Sequence, residues 1–463
     1  MSRAVHRRVC VVGGGLAGIT AALGLADAGA SVTLLEGKPR LGGLTHSFQR
    51  NGLWVDNGQH VFLRCCSSYR ALLDRLGVAD QVHLQDRLDV PVRSGCHPGV
   101  ARLRRTPAAL GLPAPLHLGP ALATYRWLSP GARLQAMRAA LALGRVDRDD
   151  PATDARSFGD WLAAHGQGPR AVEALWDLVG VATLNARAEE ASLALAATVF
   201  QLGLLERADA ADIGWSLVPL QQLHGDAASR ALTAAGAEVR LRARARALEP
   251  AGGGWRVGDE EYDDVVLAVP PPQAARLLPP GAVDLEPGWA DELGSSPIVN
   301  AHVVLDRVVL DEPFVASVDS PLQWVFDRTR QGGPEARAAA GTPDGGQYLA
   351  VSLSAADDLV NISVSEVSDR VLPALRQLLP AAASARVKEF FVTRERHATF
   401  RPAPGTGRFR PAAAALLPGL HLAGSWTDTG WPATMEGAVR SGEAAVASVL
   451  ETPSRQPVAE VAR

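Results

Sequence analysis

Apolar runs and polar turns at the start of the chain predict a strand, a helix and a second strand. Val9–Val12 is a short apolar run, and Ile19–Asp27 carries apolar residues at helical spacing. Gly29 is placed to end that helix, and Ser31–Leu35 is a second apolar run. Together they predict a βαβ unit.

Further along the chain, the same patterns predict more helices and a second sheet. Helical spacing is found in Arg133–Arg145, Phe158–Phe200, Leu217–Ala235, Leu359–Leu379 and Gly437–Leu450. Strand-like runs are found in Glu238–Leu241, Asp263–Pro270, Val299–Leu305, Leu349–Ser354, Arg386–Thr393 and Leu420–Ala423. Helices and strands therefore both contribute throughout the chain, which favours an α/β protein.

Composition limits the class of protein. The chain has 463 residues, 47% hydrophobic and 21% charged, with a net charge of −3. These values are typical of a folded globular protein and argue against a nucleic-acid partner. Its four cysteines lack zinc-ligand spacing, so no metal site is predicted. Such sparse thiols and the absence of a long apolar window lead us to expect a cytoplasmic protein without a membrane span.

A glycine motif lies between the first strand and the first helix. Gly13-x-Gly15-x-x-Gly18 allows a tight turn, close approach of the backbone to a pyrophosphate, and close packing of helix on strand. Glu36 ends the second strand, where a carboxylate can accept both hydroxyls of an adenosine ribose and repel a 2′-phosphate. We predict a dinucleotide site that is not built for NADP. The alternative is a glycine-rich turn beside a surface glutamate.

Segments at both ends of the chain resemble one flavoenzyme superfamily. Arg40-Leu41-Gly42-Gly43 follows Glu36, and His421–Trp426 precedes Pro432–Ala438. These segments resemble those of the FAD-containing amine oxidase and phytoene desaturase superfamily. The resemblance implies a Rossmann-type FAD-binding domain interleaved with an α+β substrate domain. The positions it assigns to FAD are Gly13, Gly15, Leu16, Ala17, Gly18, Glu36, Gly37, Arg40, Gly42, Gly43, Leu44, Val239, Gly424, Ser425, Thr434, Met435, Glu436 and Ala438.

Two departures concern how FAD is held. Ser425 stands where the superfamily often has an aspartate that contacts the ribityl arm, so Ser425 or nearby Asp428 would have to serve. No cysteine follows Cys96, so the covalent thioether of some amine oxidases is not available. We therefore expect non-covalent FAD.

Two further segments narrow the resemblance. Val55–His60, with the sequence VDNGQH, and Trp426–Thr434 resemble those of the hydroxysqualene dehydroxylases, and the likeness extends over nearly the whole chain. It implies reductive removal of the hydroxyl of hydroxysqualene to give squalene, with hydride from reduced flavin N5 and an external electron donor. The alternatives are desaturation of a polyene, oxidation of an amine, or a flavin-bearing lipid carrier without catalysis.

The implied reaction needs an acid, because hydroxide is a poor leaving group. His60 is the first candidate, since histidine titrates near neutrality. Asp56 is the second, since burial can raise the pKa of a carboxyl group enough for it to donate. The alternative for both residues is a structural loop that bonds its own backbone.

The shortage of lysine bears on the choice among reactions. Only Lys38 and Lys388 are present. Many amine oxidases of the superfamily hold a lysine near flavin N5 on a strand of the substrate domain, and the corresponding position here is Asn300. This disfavours amine oxidation. We assign Asn300, with Trp431 and Pro432, to the substrate side of the site.

The resemblance also predicts how the chain is divided. The FAD-binding domain is expected in residues 1–90, 215–295 and 405–450, and the substrate domain in 91–214 and 296–404. Residues 451–463 are expected to form a tail. Within 91–150, prolines and an arginine-edged apolar helix predict a helical cap over a tunnel for a long-chain triterpene. The same segment is a candidate for peripheral contact with the inner face of a membrane.

Overall fold

The computed structural model describes residues 7–107, 110–331 and 346–452. The predicted tail lies outside them from residue 453 onward. The strands are β1 Arg8–Val12, β2 Ser31–Glu36, β3 Ser47–Arg50, β4 Leu53–Asp56, β5 Val61–Leu63, β6 Val82–Leu84, β7 Asp89–Ser94, β8 Val100–Arg104, β9 Ile213–Ser216, β10 Glu238–Leu241, β11 Glu249–Ala251, β12 Gly254–Val257, β13 Glu260–Tyr262, β14 Asp264–Leu267, β15 Ser296–Leu305, β16 Phe314–Val318, β17 Trp324–Asp327, β18 Gln347–Ser354, β19 Val387–Thr399 and β20 Leu420–Leu422.

The α-helices are α1 Leu16–Asp27, α2 Ser67–Leu76, α3 Gly119–Ala123, α4 Pro130–Leu143, α5 Pro151–Asp154, α6 Phe158–Ala164, α7 Pro169–Ala171, α8 Asp177–Leu184, α9 Leu193–Phe200, α10 Ala227–Ala234, α11 Pro271–Leu277, α12 Trp289–Glu292, α13 Arg328–Gln331, α14 Val364–Leu378 and α15 Met435–Glu451. Short π-helical segments are Val172–Trp176, Gln201–Leu205 and Gln221–Asp226, and short 3₁₀ turns are Ala79–Gln81, Leu116–Leu118, Pro380–Ser384 and Thr406–Phe409.

A parallel sheet with the strand order β10-β2-β1-β14-β20 forms the dinucleotide-binding half of the molecule. All four strand pairs are parallel. The strands come from the start, middle and end of the sequence, so this half is assembled from distant segments. Helices α1 and α15 pack together beside it, and a Cβ on Gly442 would lie 2.5 Å from the Ala17 carbonyl oxygen. That close approach holds the two ends of the chain together.

A mixed sheet with the order β19-β15-β18-β17-β16-β7-β8 forms the second half. Its pairs are antiparallel except β16 with β7. Helix α14 buries its apolar face on this sheet and begins with a capping box between Ser363 and Glu366. The chain thus has the α/β fold expected, a Rossmann-type sheet interleaved with an α+β half.

The structure differs from the sequence patterns mainly where strands pair over long distances. The segment expected to be a helical cap, residues 91–150, begins with β7 and β8, which form one edge of the mixed sheet, and α3 and α4 follow. Residues 158–200 are largely helical, as expected, and they are divided into several helices, one of which ends at Asn185 in a left-handed conformation with φ of 58°. The β3–β4 hairpin was missed, although its Asn51-Gly52 turn is a recognised hairpin signal.

Across the described ranges, no helix is both long and apolar enough to cross a bilayer.

Candidate functional site

Two glycines of the motif pack closely against the protein backbone, and the third has space beside it. A Cβ on Gly13, where φ is 112°, would lie 2.3 Å from the Ala268 carbonyl oxygen, and a Cβ on Gly18 would lie 1.9 Å from that of Gly13. A Cβ on Gly15 would meet nothing closer than the Gly43 Cα at 3.8 Å. Close packing of the backbone therefore requires glycine at positions 13 and 18. At position 15 the glycine leaves a space, here called the cradle, that fits a pyrophosphate.

Helix α1 begins at this cradle with no side chain capping its N-terminal N–H groups. Leu16 and Ala17 form its first turn and are buried. Glu36 lies next to the turn, where its carboxylate accepts hydrogen bonds from the backbone N–H groups of Gly14 at 2.7 Å and Lys38 at 2.6 Å. A helix N-terminus and a carboxylate at the ends of β1 and β2 are suited to a pyrophosphate and an adenosine ribose.

The arginine and glycine segment after β2 folds back over the cradle. The Gly42 N–H donates to the Gly14 carbonyl at 2.8 Å, and Gly42 and Gly43 have φ values of 107° and 56°. Arg40 is half-buried, and burial lowers its pKa. Gly37 and Leu44 are exposed at the rim. The structure thus brings the predicted FAD positions of both N-terminal segments around one cradle.

The C-terminal segment is held by a buried arginine that the sequence did not single out. Arg410 donates to the carbonyl oxygens of Thr427 at 2.6 Å and Trp431 at 2.7 Å, and more weakly to that of Ser425 at 3.4 Å. Burial lowers its pKa to about 10. Because these acceptors span residues 425–431, Arg410 fixes the course of the whole loop.

Two predicted ribityl contacts differ in accessibility. Ser425 is half-buried beside Gly424, whose N–H donates to Ser441 Oγ at 2.7 Å. Asp428 is exposed and accepts a long hydrogen bond of 3.4 Å from the Gly430 N–H. This geometry favours Ser425 over Asp428 for a contact inside the site.

Of the remaining predicted FAD positions, Thr434, Met435 and Ala438 lie at the start of α15, and Val239 lies on β10. Thr434 caps the helix by accepting from the Gly437 N–H at 3.1 Å, and Met435 and Ala438 pack against the core next to α1. Val239 is half-buried on β10, opposite Leu34 of β2.

The Glu436 carboxylate lies at the N-terminus of α2. It accepts from the backbone N–H groups of Ser68 at 3.2 Å and Tyr69 at 2.7 Å, and Arg440 donates to it at 2.8 Å. This carboxylate therefore caps α2, and the geometry favours a structural role over the predicted FAD contact.

Asp56 is engaged on both of its carboxylate oxygens. One oxygen accepts from Ser47 Oγ at 2.5 Å and from the Leu220 N–H at 3.1 Å, and the other accepts from Arg328 Nη2 at 2.7 Å. Asp56 and Arg328 are both buried. Three donors, one of them a buried guanidinium, hold this carboxylate in place, so the geometry favours the structural alternative over proton donation.

Replacing Asp56 with asparagine is expected to lower the free energy of unfolding by about 3 kcal/mol, because a buried guanidinium loses its carboxylate. Asp357→Asn is the matched control, since Asp357 pairs with Arg401 at the surface, where a pair contributes at most about 1 kcal/mol. Urea unfolding of both variants measures the difference. Equal losses would contradict the role assigned to Asp56.

His60 and Asn300 both lie close to Gly58. A Cβ on Gly58 would lie 3.5 Å from His60 Cε1 and 3.6 Å from Asn300 Nδ2. The His60 Nδ1 atom lies 3.1 Å from the Gly58 carbonyl oxygen, so in the neutral ring Nδ1 carries the proton and Nε2 is an acceptor. Burial lowers the pKa of His60. The sequence placed these residues in one site, although they are far apart in the chain.

Asn300 is fully buried, yet neither atom of its amide has a hydrogen-bond partner among the described residues. The Nε2 atom of Gln59, in the same loop as His60, is buried and unpartnered as well. Buried polar groups are normally hydrogen-bonded, so these atoms indicate a place for a polar ligand.

Trp431 and Pro432, the other predicted substrate residues, belong to the loop that Arg410 fixes. The Trp431 ring is half-buried beneath the Arg440 guanidinium, whose Cζ lies 4.9 Å from the ring centroid. The Pro432 carbonyl accepts from the Thr434 N–H at 2.8 Å. A role for either residue towards substrate stays a prediction.

Known flavoenzymes of three kinds match nearly the whole chain. The flavin containing amine oxidoreductase family matches residues 16–450. A hydroxysqualene dehydroxylase of Rhodopseudomonas palustris is 30% identical over 97% of this chain and 99% of that protein. A zeta-carotene desaturase of Synechocystis sp. is 25% identical over 98% of this chain and 99% of that protein. The solved structure of cyclohexylamine oxidase from Brevibacterium oxydans superposes with a TM-score of 0.70 at 19% identity, covering 96% of this chain and 99% of that one.

The cradle, the ribose carboxylate and the family match agree on the cofactor. The open space at Gly15 and the uncapped start of α1 fit the pyrophosphate of FAD. The chain therefore belongs to the flavin containing amine oxidoreductase family and is an FAD-dependent oxidoreductase.

Proposed function

We propose that the protein reductively removes the hydroxyl group of hydroxysqualene to give squalene. The observation that carries this proposal is the buried, unpartnered amide of Asn300 beside His60. A hydroxyl group bound there would accept from Nδ2 or donate to Oδ1 and satisfy an otherwise orphaned group. The hydroxysqualene dehydroxylase relative, at 30% identity over nearly the full length, supports the same substrate.

The second candidate is desaturation of a polyene, which the zeta-carotene desaturase relative suggests. A carotene is a hydrocarbon, so it would bury the Asn300 amide without a partner at a cost of about 1–3 kcal/mol. An amine substrate is disfavoured because Asn300 occupies the strand position where lysine is expected in amine oxidases. The amide at this position thus favours a hydroxylated substrate.

Residues of this chain supply binding and protonation. The cradle and the residue 425–431 loop would hold FAD, which in its reduced form would supply a hydride. Asn300 orients the hydroxyl, and His60 protonates it so that it leaves as water. In the neutral ring His60 Nε2 accepts, so only the protonated ring donates from that atom.

Activity is expected to rise as the pH falls from about 8 to about 5.5. The reason is that burial places the pKa of His60 below its usual 6.5, so the donating form is lost as the pH rises through that lowered pKa. Burial lowers the pKa of the buried histidines His224 and His302 to about 3, which is too low to produce this rise in activity. A kcat–pH profile measures it.

The variant His60→Gln should lose the rise in kcat at low pH. The variant His397→Gln, changed at an exposed histidine, should retain that rise. A rate that rises with pH would contradict His60 as the acid.

The test of the reaction compares two pairs of reactants. The FAD-loaded protein is given hydroxysqualene with dithionite, or zeta-carotene with a quinone acceptor. Squalene from the first pair and no product from the second is expected. Conversion of the carotene alone would reject dehydroxylation in favour of desaturation.

We also propose that the substrate reaches the site from a membrane surface that carries anionic lipid. Residues 90–146 contain eight arginines and no aspartate or glutamate, although the whole chain has a net charge of −3. One exposed face of α4 presents Leu134, Arg138 and Leu141 at helical spacing, and exposed Arg145 follows just after the end of the helix. The leucines are suited to the headgroup boundary, and the arginines to lipid phosphates.

Two more exposed leucines lie earlier in the same segment of the chain. Leu110 and Leu116 are 63% and 58% exposed in the segment that leads into α3. Among the described residues, neither Arg138 nor Arg145 forms an ion pair. These exposed cations are therefore available to lipid phosphates.

In vesicle flotation, binding is expected to vesicles that contain phosphatidylglycerol, and binding to pure phosphatidylcholine should be about tenfold weaker. Leu134→Ser with Leu141→Ser should weaken binding by about tenfold, because each leucine loses apolar burial. The control is Leu416→Ser, an exposed leucine outside this surface. Equal binding by the double variant and the native protein would contradict the assignment.

A further inference from the structure

A buried chain of hydrogen bonds runs from the mixed sheet to the loop that carries His60. Tyr348 Oη lies 2.7 Å from His302 Nδ1, and His302 Nε2 lies 3.0 Å from Thr393 Oγ1. Thr393 Oγ1 in turn donates to the Asn57 carbonyl oxygen at 3.2 Å. Tyr348 and His302 are 1% and 0% exposed, so water does not compete for these bonds.

The direction of every proton in this chain is fixed. A carbonyl oxygen only accepts, so Thr393 must donate to Asn57 and must therefore accept from His302. Burial lowers the pKa of His302 to about 3, so the ring is neutral and its single proton lies on Nε2. Nδ1 is then the acceptor for the Tyr348 hydroxyl.

The far end of the chain is tied to the FAD cradle. Asn57 donates from its backbone N–H to the His46 carbonyl at 2.9 Å, and its side-chain oxygen accepts from the His46 N–H at 3.2 Å. His46 lies just beyond the Gly42-Gly43 segment that covers Gly14. Asn57, in the loop that carries His60, is thus hydrogen-bonded both to the segment that follows the cradle and to the mixed sheet.

The near end of the chain shares a strand with Asn300. Asn300 and His302 are two residues apart on β15, so they project from the same face of the sheet. That face also carries Val304, which packs with Leu53 and Val55 of the strand leading into the loop. A shift of the Asn57 carbonyl would therefore move His60 relative to Asn300.

We propose that Thr393, oriented by His302 and Tyr348, is a positioning residue that holds the Asn57 carbonyl and so sets the spacing between His60 and Asn300. Thr393 also lies directly opposite Asn300 in the pairing of β15 with β19. Its hydroxyl acts on the position of His60 through the Asn57 carbonyl and the backbone of residues 57–60. The inference deepens the proposed function, because it names residues that shape the same site.

The test uses the FAD-loaded protein labelled with ¹⁵N-histidine. In the native protein, the His302 ring is expected to show a protonated Nε2 and an unprotonated Nδ1. Thr393→Val should displace the His60 ring resonances and lower kcat for hydroxysqualene by about tenfold, since small displacements at a reacting centre are costly. Thr393→Ser should restore both, because serine keeps the hydroxyl. Thr233→Val, the same change on the exposed side of α10, should alter neither.

A His302 ring protonated on Nδ1, or unchanged His60 resonances and kcat in Thr393→Val, would overturn the proposal. Should Thr393→Val fail to fold, Tyr348→Phe carries the test. Loss of the tyrosine hydroxyl frees Nδ1 to take the proton, and the same displacement of His60 and loss of kcat are expected. The spectra need no substrate, so native spectra as expected without conversion of hydroxysqualene would reject only the proposed function.

Discussion

Replacing Gly15 with valine is expected to abolish FAD binding while leaving the apoprotein folded. The backbone at Gly15 has φ of −78° and ψ of −180°, which any residue adopts, and its Cβ would make only an ordinary contact, 3.8 Å from the Gly43 Cα. The cradle is where the pyrophosphate approaches the backbone, so the new side chain excludes the cofactor. The affinity for FAD should fall by more than about 100-fold, or about 2.7 kcal/mol.

Gly18→Ala is the matched control for this prediction. A Cβ at Gly18 would lie 1.9 Å from the Gly13 carbonyl oxygen, so the apoprotein should lose about 3 kcal/mol of stability through overpacking. Urea unfolding of the apoproteins and titration with FAD separate the two effects. If Gly15→Val bound FAD normally, or destabilised the apoprotein as Gly18→Ala does, the cradle would be misassigned.

Replacing Asn300 with leucine is expected to make the protein more stable and less active. The native amide is buried without a partner, so an apolar side chain of similar size should raise the free energy of unfolding of the apoprotein by about 1–2 kcal/mol. The substrate hydroxyl would lose its partner in the same variant. The value of kcat/KM for hydroxysqualene should fall by about 100-fold.

The control for Asn300 is Asn361→Leu, which makes the same change at an exposed asparagine. It should change the free energy of unfolding by no more than about 0.5 kcal/mol and kcat/KM by no more than about twofold. Retention of FAD by Asn300→Leu, judged from its visible absorbance, shows that the loss concerns the substrate. Normal activity of Asn300→Leu would remove the main support for a hydroxylated substrate.

Local patterns in the sequence predicted the FAD cradle well. The glycine turn, α1 and Glu36 are close together in the chain, and their chemistry depends on residues a few positions apart. The strand Glu238–Leu241 was predicted with its observed bounds, because a short strand-like run follows a helix and a glycine. Such features are set by spacing along the chain, which the sequence displays.

Contacts between distant residues could not be predicted in the same way. Asp56 is held by Arg328, which is 272 positions away, and Thr393 reaches Asn57 over 336 positions. Nothing in the local sequence of Asp56 marks it as a partner of an arginine, so the sequence left open whether it is the second candidate for the proton donor or part of a structural loop. The same reason explains why Arg410, whose acceptors are all backbone carbonyls, gave no signal.

Position alone also left the chemistry of His60 open. The loop motif suggested an acid that titrates near neutrality, whereas the structure shows a ring whose Nδ1 faces the Gly58 carbonyl and whose pKa is lowered by burial. These features depend on how the loop is enclosed by β15 and the cradle. They change the expected pH dependence, because the protonated form of His60, which donates, is now expected only below neutral pH.

The most direct test of the proposed reaction is a single turnover without oxygen. The FAD of the purified protein is photoreduced and hydroxysqualene is added while flavin absorbance and products are followed. We predict that the flavin reoxidises and that about one squalene forms per flavin, since one hydride is consumed per hydroxyl removed. A flavin that stays reduced, with no squalene formed, would contradict the account.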